Sequence, residues 1–208
     1  MPEIISINII SAAQVEAILT ALSFGQVIAY PTDTIYGLGA DIFNSSAVRN
    51  LIRLKGRSSQ KAISVLYSDV KRLLKDFPNL NSYQQKAVRS LLPGHVTLVL
   101  PMKDQYFPEQ FADEGFVGVR VIDMEPLNRI LRRFPNPITT TSANPSGEKP
   151  AENTEEIIRY FGDSVPIVLK SSDPASRVPS TVVRILSDKF SILRQGAVSA
   201  DEIAQRCA

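Results

Sequence analysis

Apolar positions recur along the chain in two spacings, one typical of helices and the other of short buried strands. Ser11 followed three residues later by Gln14 predicts a helical capping box, and apolar residues then recur at helical spacing until Gly25. Residues 27–30 are uniformly apolar and end at Pro31, which predicts a buried strand that leads into a loop. The first helix is therefore followed by a strand and a polar loop.

The rest of the chain continues this alternation. Ser45 or Ser46 is expected to cap a second helix, and Asn81 with Gln84 opens another. Further helices are predicted over 126–133, over 154–161 and from Ser199, and strands over 62–67, 96–100, 117–121, 138–141, 167–169, 181–185 and 191–193. Interleaved helices and strands predict an α/β or α+β fold, with a mixed sheet flanked by helices. Because prolines and glycines are scattered among the loops, we expect one domain over residues 1–208.

Composition narrows the class of protein. The 208 residues are 44% apolar, which is enough for a sizeable core, and 23 Lys and Arg against 21 Asp and Glu give a formal charge of +2. That balance is far from the strongly basic character of a nucleic-acid coat protein. A single cysteine, Cys207, and a single histidine, His95, exclude a disulfide framework and a Cys- or His-based metal site. Because no apolar run approaches the roughly 18 residues of a membrane span, we expect a cytoplasmic protein without a membrane segment.

Polar clusters follow several predicted strands, where ligand sites are common. The first covers residues 31–39, and its hydroxyls and glycines suit either a small polar ligand or a turn in which Asp33 bonds to nearby backbone. The second contains Lys55, Arg57 and Lys61, whose charges suit either a polyphosphate or the solvated end of a helix. Both interpretations stay open at this point.

Two further clusters lie in the second half of the chain. Ser142 and Asn144 fall on one side of an extended segment, where they suit either a phosphate or ribose, or a turn closed by Asn144. Arg120 lies inside a predicted strand, and Ser180 and Arg194 flank the last two strands. An arginine within a strand requires either an anionic partner or an exposed face, and an exposed face is the commoner answer.

The clusters taken together form an ordered set. Residues 30–38 read Tyr-Pro-Thr-Asp-Thr-Ile-Tyr-Gly-Leu, then come Lys55-x-Arg57 and Ser142-x-Asn144, and residues 179–183 read Pro-Ser-Thr-Val-Val. In this order and at these separations they resemble the YrdC-like family over nearly the whole chain. Members of that family make threonylcarbamoyl-AMP and pyrophosphate from L-threonine, bicarbonate or CO2 and ATP, for threonylcarbamoyladenosine modification of tRNA.

The resemblance implies a twisted open sheet with a concave, positively charged cavity, and a role for each cluster. It implies a catalytic set of Lys55, Arg57, Ser142 and Asn144, ATP binding by Arg57, Lys61, Phe116, Ser142, Pro150 and Arg194, and threonine binding by Thr34, Arg120, Thr140 and Ser180. It also implies magnesium carried on the triphosphate, with no metal ligands from the protein. Placing the reactants in line and neutralising phosphate charge would then supply the catalysis.

Four positions depart from the family pattern: Ser58 and Ala62 replace common prolines, His95 replaces a frequent proline, and Arg184 stands where an acid is common. The chain resembles the short form of the family, whose product passes to separate tRNA-modifying proteins. The main alternative is an RNA-binding module of the same fold, which would take tRNA or double-stranded RNA in the basic cavity without synthase activity. Steep dependence on salt would distinguish that module from a synthase.

Overall fold

One mixed sheet runs through the part of the chain that the structure, a computed structural model, describes: residues 1–56, 62–102, 106–172 and 178–207. The strands are β1 Glu3–Ser6, β2 Ile28–Tyr30, β3 Gly37–Gly39, β4 Ser64–Leu66, β5 Val96–Pro101, β6 Ala112–Asp113, β7 Phe116–Arg120, β8 Ile138–Ser142, β9 Ile167–Lys170, β10 Thr181–Ile185 and β11 Phe190–Arg194. The helices are α1 Ala12–Ser23, α2 Ser45–Lys55, α3 Val70–Asp76, α4 Ser82–Leu91, α5 Glu125–Leu131, α6 Thr154–Phe161 and α7 Ala200–Cys207.

The strands follow the order β1-β9-β2-β3-β8-β4-β7-β5-β10-β11, with β6 paired to β7. The sheet contains parallel pairs, such as β4 with β7 and β5 with β10, and antiparallel pairs, such as β4 with β8 and β5 with β7. The predicted mixed sheet flanked by helices is therefore confirmed. Strands distant in sequence become neighbours at its centre, where β8, β4, β7 and β5 lie side by side.

Both faces of the sheet are covered, which explains the uniformly apolar strands. Ile28 packs into a core cluster with residues of α1 and α5, whereas the next residue, Ala29, belongs to a second cluster with residues of α2 and α4. Successive side chains of a strand point to opposite faces, so a strand buried on both sides shows no alternation of apolar and polar residues. Burial of one such large aliphatic side chain stabilises the fold by about 1.5–3 kcal/mol.

Local hydrogen bonds begin the helices largely as the sequence predicts. The capping boxes of Ser11 with Gln14 and of Asn81 with Gln84 are confirmed, at the start of α1 and α4. The expected cap at Ser45 or Ser46 is wrong, because the Asn44 side chain accepts the backbone N–H groups of Ser46 and Ala47. Asn44 is extended, so its short amide reaches the free N–H groups of the first turn, and the two serines become helical.

The expected loop over residues 31–39 ends early, because β3 forms from its last three residues. Glycines are poor strand formers, so the sequence gives little sign of this strand. The glycines are needed because β3 pairs with β2, which carries Tyr30. A Cβ at Gly39 would stand 2.8 Å from the Tyr30 ring. Tyr30 is fully buried, and its hydroxyl donates to the Thr139 carbonyl at 2.9 Å. The glycines make room for this ring, and β3 then pairs with β8.

Candidate functional site

A cavity of about 370 Å³ lies against the central strands of the sheet. Eight of the residues predicted for the site line it: Thr34, Phe116, Arg120, Thr140, Ser142, Pro150, Ser180 and Arg194. They come from six segments of the chain, and strand order brings them together. Arg57 and Lys61, also predicted for the site, lie outside the described residues.

A cross-sheet row of residues runs under the cavity, and we use that name for Thr140, Ser64, Gly118, Val99 and Arg184. Register pairs Thr140 with Ser64, Gly118 with Val99, and Val99 with Arg184. Ser64 lies beside Gly118, where a Cβ would stand 2.7 Å from the serine hydroxyl. The glycine therefore opens space at the middle of the row, with Thr140 at one end and Arg184 at the other.

Arg120 is the most deeply buried charged group of the cavity lining, with 6% of its surface exposed. Its Nη1 donates to the Thr34 hydroxyl at 3.2 Å, and its Nη2 donates to the Asp33 carboxylate at 2.6 Å. Its Nε is buried and has no hydrogen-bond partner among the described residues. The Arg120 guanidinium lines the cavity and brings a positive charge to it. The site is therefore suited to an anionic ligand.

Asp33 holds Arg120 in place, and sequence reasoning missed it as a site residue. Its side chain is only 4% exposed, and its second oxygen accepts the backbone N–H of Asp123 at 3.4 Å. Burial raises the pKa of the Asp33 carboxyl, and the nearby Arg120 charge offsets part of that rise. The signal was an acid directly after a buried strand, which the turn interpretation explained equally well. His95 Nε2 lies 4.0 Å from the same carboxylate.

The Thr32 hydroxyl organises the loop that carries Thr34. It accepts the backbone N–H groups of Thr34 at 3.0 Å and Ile35 at 3.1 Å, and it donates to the Ile35 carbonyl. A threonine hydroxyl bonded to backbone in this way is a common turn device. The result is a fixed Thr34 hydroxyl beside Arg120.

Ser180, just before β10, and Arg194, at the end of β11, also line the cavity. The Ser180 hydroxyl lies 2.8 Å from that of Thr97, and Arg194 Nη2 donates to the Ser180 carbonyl at 2.8 Å. Partial burial and the positive charge of Arg120 lower the pKa of Arg194. Two guanidinium groups that repel each other across a cavity favour an anion between them.

Lys55 lies behind the cavity wall, at the last position of α2. Only 1% of it is exposed, so the alternative of a solvated helix end is wrong for this residue. Its Nζ donates to the Ser142 carbonyl at 2.6 Å and to the Asn144 side-chain oxygen at 3.1 Å. The Asn144 amide donates in turn to the carbonyls of Pro145 and Glu148. Lys55 and Asn144 thus support the end of β8, where Ser142 lies.

Phe116 and Pro150 line the cavity from two other segments. The guanidinium carbon of Arg184 lies 4.8 Å from the centre of the Phe116 ring, a cation–π distance. The segment around Pro150 is tied to the end of β8, because the Ala151 N–H donates to the Ala143 carbonyl at 2.9 Å. Arg184, Val99 and Gly118 were not predicted for the site, since only the strand register reveals their place.

Within residues 1–56, 62–102, 106–172 and 178–207 there is no group of three or more His, Cys, Asp or Glu side chains that could hold a metal ion. None of the helices in the described ranges is long and apolar enough to cross a membrane.

Comparison with known proteins adds a family and several relatives. Residues 20–196 match the family Sua5_yciO_yrdC, which carries the description "Telomere recombination". The threonylcarbamoyl-AMP synthase of Blochmanniella pennsylvanica is 36% identical over 168 residues, which cover 78% of this chain and 85% of that protein. The threonylcarbamoyl-AMP synthase of Vibrio campbellii is 32% identical over 183 residues, 87% of this chain and 98% of that protein.

A solved structure shares the fold. The crystal structure of P. abyssi Sua5 complexed with L-threonine superposes with a TM-score of 0.89 at 24% sequence identity. The match covers 98% of this chain and 60% of that chain. The same sheet with the same flanking helices therefore occurs in a protein that was crystallised with threonine.

Proposed function

Because the chain belongs to the Sua5_yciO_yrdC family, we propose that it is a threonylcarbamoyl-AMP synthase. It would use L-threonine, bicarbonate or CO2 and ATP, and release pyrophosphate. Two relatives named for this activity align over 78% and 87% of the chain. We further propose that residues 1–208 act as one domain, since a single sheet connects the described ranges.

The observation that carries the proposal is that two arginines, Arg120 and Arg194, line one cavity. An amino acid carboxylate and a nucleotide phosphate are both anionic, and the reaction must hold them close to each other. A planar guanidinium is the preferred partner of either group.

Threonine binding falls to the Arg120 side of the cavity. The Arg120 guanidinium would attract the carboxylate, while Asp33 and the Thr34 hydroxyl keep the guanidinium plane fixed. The Thr140 and Ser180 hydroxyls would contact the amino group and the side-chain hydroxyl of threonine. Hydroxyls suit both, because each can donate and accept a hydrogen bond.

ATP would lie along Ser142, Phe116, Pro150 and Arg194, with its phosphates also held by Arg57 and Lys61. In this arrangement Lys55 and Asn144 position Ser142 from behind the cavity wall. A direct contact of Lys55 with phosphate stays a prediction. Magnesium would arrive on the triphosphate, as part of the substrate.

The chemistry would proceed in two steps. The threonine amine attacks CO2 or bicarbonate, which forms a carbamate and releases a proton or water. A carbamate oxygen then attacks the α-phosphorus of ATP, and the bond to the β-phosphate oxygen breaks to release pyrophosphate. No protein nucleophile is needed, so the protein contributes position and positive charge.

The product would pass to separate proteins that modify tRNA in the cytoplasm. The RNA-binding alternative has less support, because the +2 formal charge is small for an RNA coat.

The proposal is tested by product identification. Purified protein is incubated with ATP, magnesium, threonine and ¹³C-labelled bicarbonate. The nucleotides are then separated, and their masses are measured by mass spectrometry. We expect an AMP adduct that carries threonine and one labelled carbon. Absence of that adduct from folded protein that binds ATP would contradict the proposal, and RNA binding with a steep salt dependence would favour the alternative.

A further inference from the structure

Arg184, at the far end of the cross-sheet row, is a charged group of the cavity for which the proposed mechanism has no use. It opposes Val99 on β5, and its side chain lines the cavity together with Phe116 and Arg194. Arg194 opposes Val182, two residues before Arg184 on β10. The two arginines therefore extend the positive side of the cavity along its β10–β11 edge.

The Arg184 side chain is held in place but incompletely paired. Its guanidinium stacks on the Phe116 ring at 4.8 Å, which fixes the plane of the group. Its Nε is buried and finds no hydrogen-bond partner within the described ranges. Its Nη1 lies 3.7 Å from Glu114, at the outer limit of an ion pair, and the Glu114 side chain is 76% exposed. A loose, solvated ion pair contributes little and is readily exchanged.

Distance separates Arg184 from the β8 side of the cavity. Four strand spacings separate it from Thr140 along the cross-sheet row, or about 19 Å at the usual spacing between strands. Arg120, which we assign to the threonine carboxylate, lies on the strand between them. A ligand that reaches from the β8 side to Arg184 must therefore extend across the cavity, as a polyphosphate chain does.

We infer that Arg184 binds the polyphosphate of the nucleotide and exchanges Glu114 for a phosphate oxygen when the ligand enters. This inference rests on the proposed function, in which ATP is a substrate. Phosphate offers the bidentate acceptor geometry that a planar guanidinium prefers, and stacking on Phe116 orients that guanidinium beforehand. Asp113 also lines the cavity on this side, and its negative charge would repel a phosphate. Glu114 is therefore one of two carboxylates near Arg184 that compete with the ligand.

The test measures equilibrium binding without turnover. Wild type, Arg184→Gln and Arg184→Lys are titrated by calorimetry with inorganic tripolyphosphate, ATP and adenosine. We expect Arg184→Gln to bind tripolyphosphate and ATP about five- to tenfold more weakly, with adenosine unchanged. Arg184→Lys should fall between the two, because it keeps the charge and loses the planar fork.

Glu114→Gln supplies a change of opposite sign. Removal of the competing carboxylate should tighten tripolyphosphate binding, by about twofold, since Asp113 remains and an exposed pair is weak. The matched control is Arg159→Gln, because Arg159 also stacks on a ring, that of Tyr160, and pairs with Glu156 at 3.8 Å. Arg159 lies on α6 outside the cavity lining and should not affect tripolyphosphate.

Three results would overturn the inference: no tripolyphosphate binding by wild type, equal affinity in Arg184→Gln, or an equal loss for adenosine. An equal loss for adenosine would mean that Arg184 contacts the adenine or ribose of the nucleotide and not its phosphates. These outcomes differ from failure of the proposed function, because a protein that binds tripolyphosphate through Arg184 and yet makes no adduct would refute only the synthase. A thermal melt of each variant shows whether it is folded.

Discussion

The cavity contains two arginine–carboxylate pairs that differ in almost every physical respect. Arg120 with Asp33 is a short, buried pair at 2.6 Å, and both side chains are less than a tenth exposed. Arg184 with Glu114 is a long pair at 3.7 Å, with a quarter of one side chain and three quarters of the other exposed. Each arginine keeps one buried Nε without a partner among the described residues.

The difference indicates two ways to receive an anion. Separation of Asp33 from Arg120 would leave a buried charge without its partner, which is costly. Arg120 therefore binds its ligand in a fixed orientation. The Glu114 carboxylate can return to water at little cost, so Arg184 can exchange partners. We expect the first pair to determine whether threonine binds, and the second to adjust the affinity for phosphate.

The largest effect should come from removal of the buried arginine. Arg120→Met leaves the buried Asp33 carboxylate without its close cation, with only the Asp123 N–H at 3.4 Å and His95 at 4.0 Å beside it. That loss should lower the free energy of unfolding by about 3–5 kcal/mol near pH 8. Arg184→Met should lower it by about 1 kcal/mol or less. Urea unfolding of both variants beside wild type measures these losses. Equal losses of unfolding free energy would contradict the difference between the two pairs.

The loss in Arg120→Met should also depend on pH. Burial raises the pKa of Asp33 even in the paired protein, and removal of the arginine charge raises it further. A carboxyl whose pKa is higher in the folded state favours folding when it is protonated. That contribution is full below the pKa of the unfolded chain, about 3.9, and is lost as pH rises through the folded pKa. The deficit should therefore be smaller at pH 5 than at pH 8, and a deficit independent of pH would contradict a buried Asp33.

A smaller effect is expected for the interaction energy between the two side chains of each pair. Double-mutant cycles with Asp33→Asn and Arg120→Gln, and with Glu114→Gln and Arg184→Gln, isolate the two interaction energies. We expect about 2 kcal/mol or more for the buried pair and below about 1 kcal/mol for the exposed pair. Coupling energies that are equal within error would show that burial does not distinguish the pairs.

The smallest effect should come from Thr97, whose hydroxyl lies 2.8 Å from that of Ser180. Thr97→Val keeps the shape and removes the partner, so the KM for threonine should rise about two- to fivefold, with the KM for ATP unchanged. Thr97→Ser should restore the wild-type value. A rise in both KM values, or no rescue by serine, would indicate a general packing defect.

Sequence reasoning succeeded where contacts are local. The capping boxes join residues three positions apart, and hydrophobic spacing predicted most helices and strands within one or two residues. It failed at β3, because packing of Gly39 against Tyr30 and not strand propensity makes that segment extended. Tertiary packing decided this element, which no local pattern records.

The candidate site shows the same division. Residue types and motif order pointed to eight lining residues, but no spacing rule joins Arg120 to Thr34 across 86 positions or Lys55 to Ser142 across 87. Those contacts depend on strand order, which the sequence does not specify. For that reason Asp33 was not predicted for the site, and Arg184 was noted only as a departure from the family pattern. The roles of Arg57 and Lys61 stay predictions.

The most direct test of the central claim is pyrophosphate release with ATP, magnesium and bicarbonate, measured with and without threonine. We predict release that depends on threonine in wild type and in Arg159→Gln. Arg120→Lys, which keeps the charge and loses the guanidinium fork, should need about tenfold or more threonine for the same rate. Release that ignores threonine, or an Arg120→Lys variant with the wild-type threonine dependence, would contradict the account.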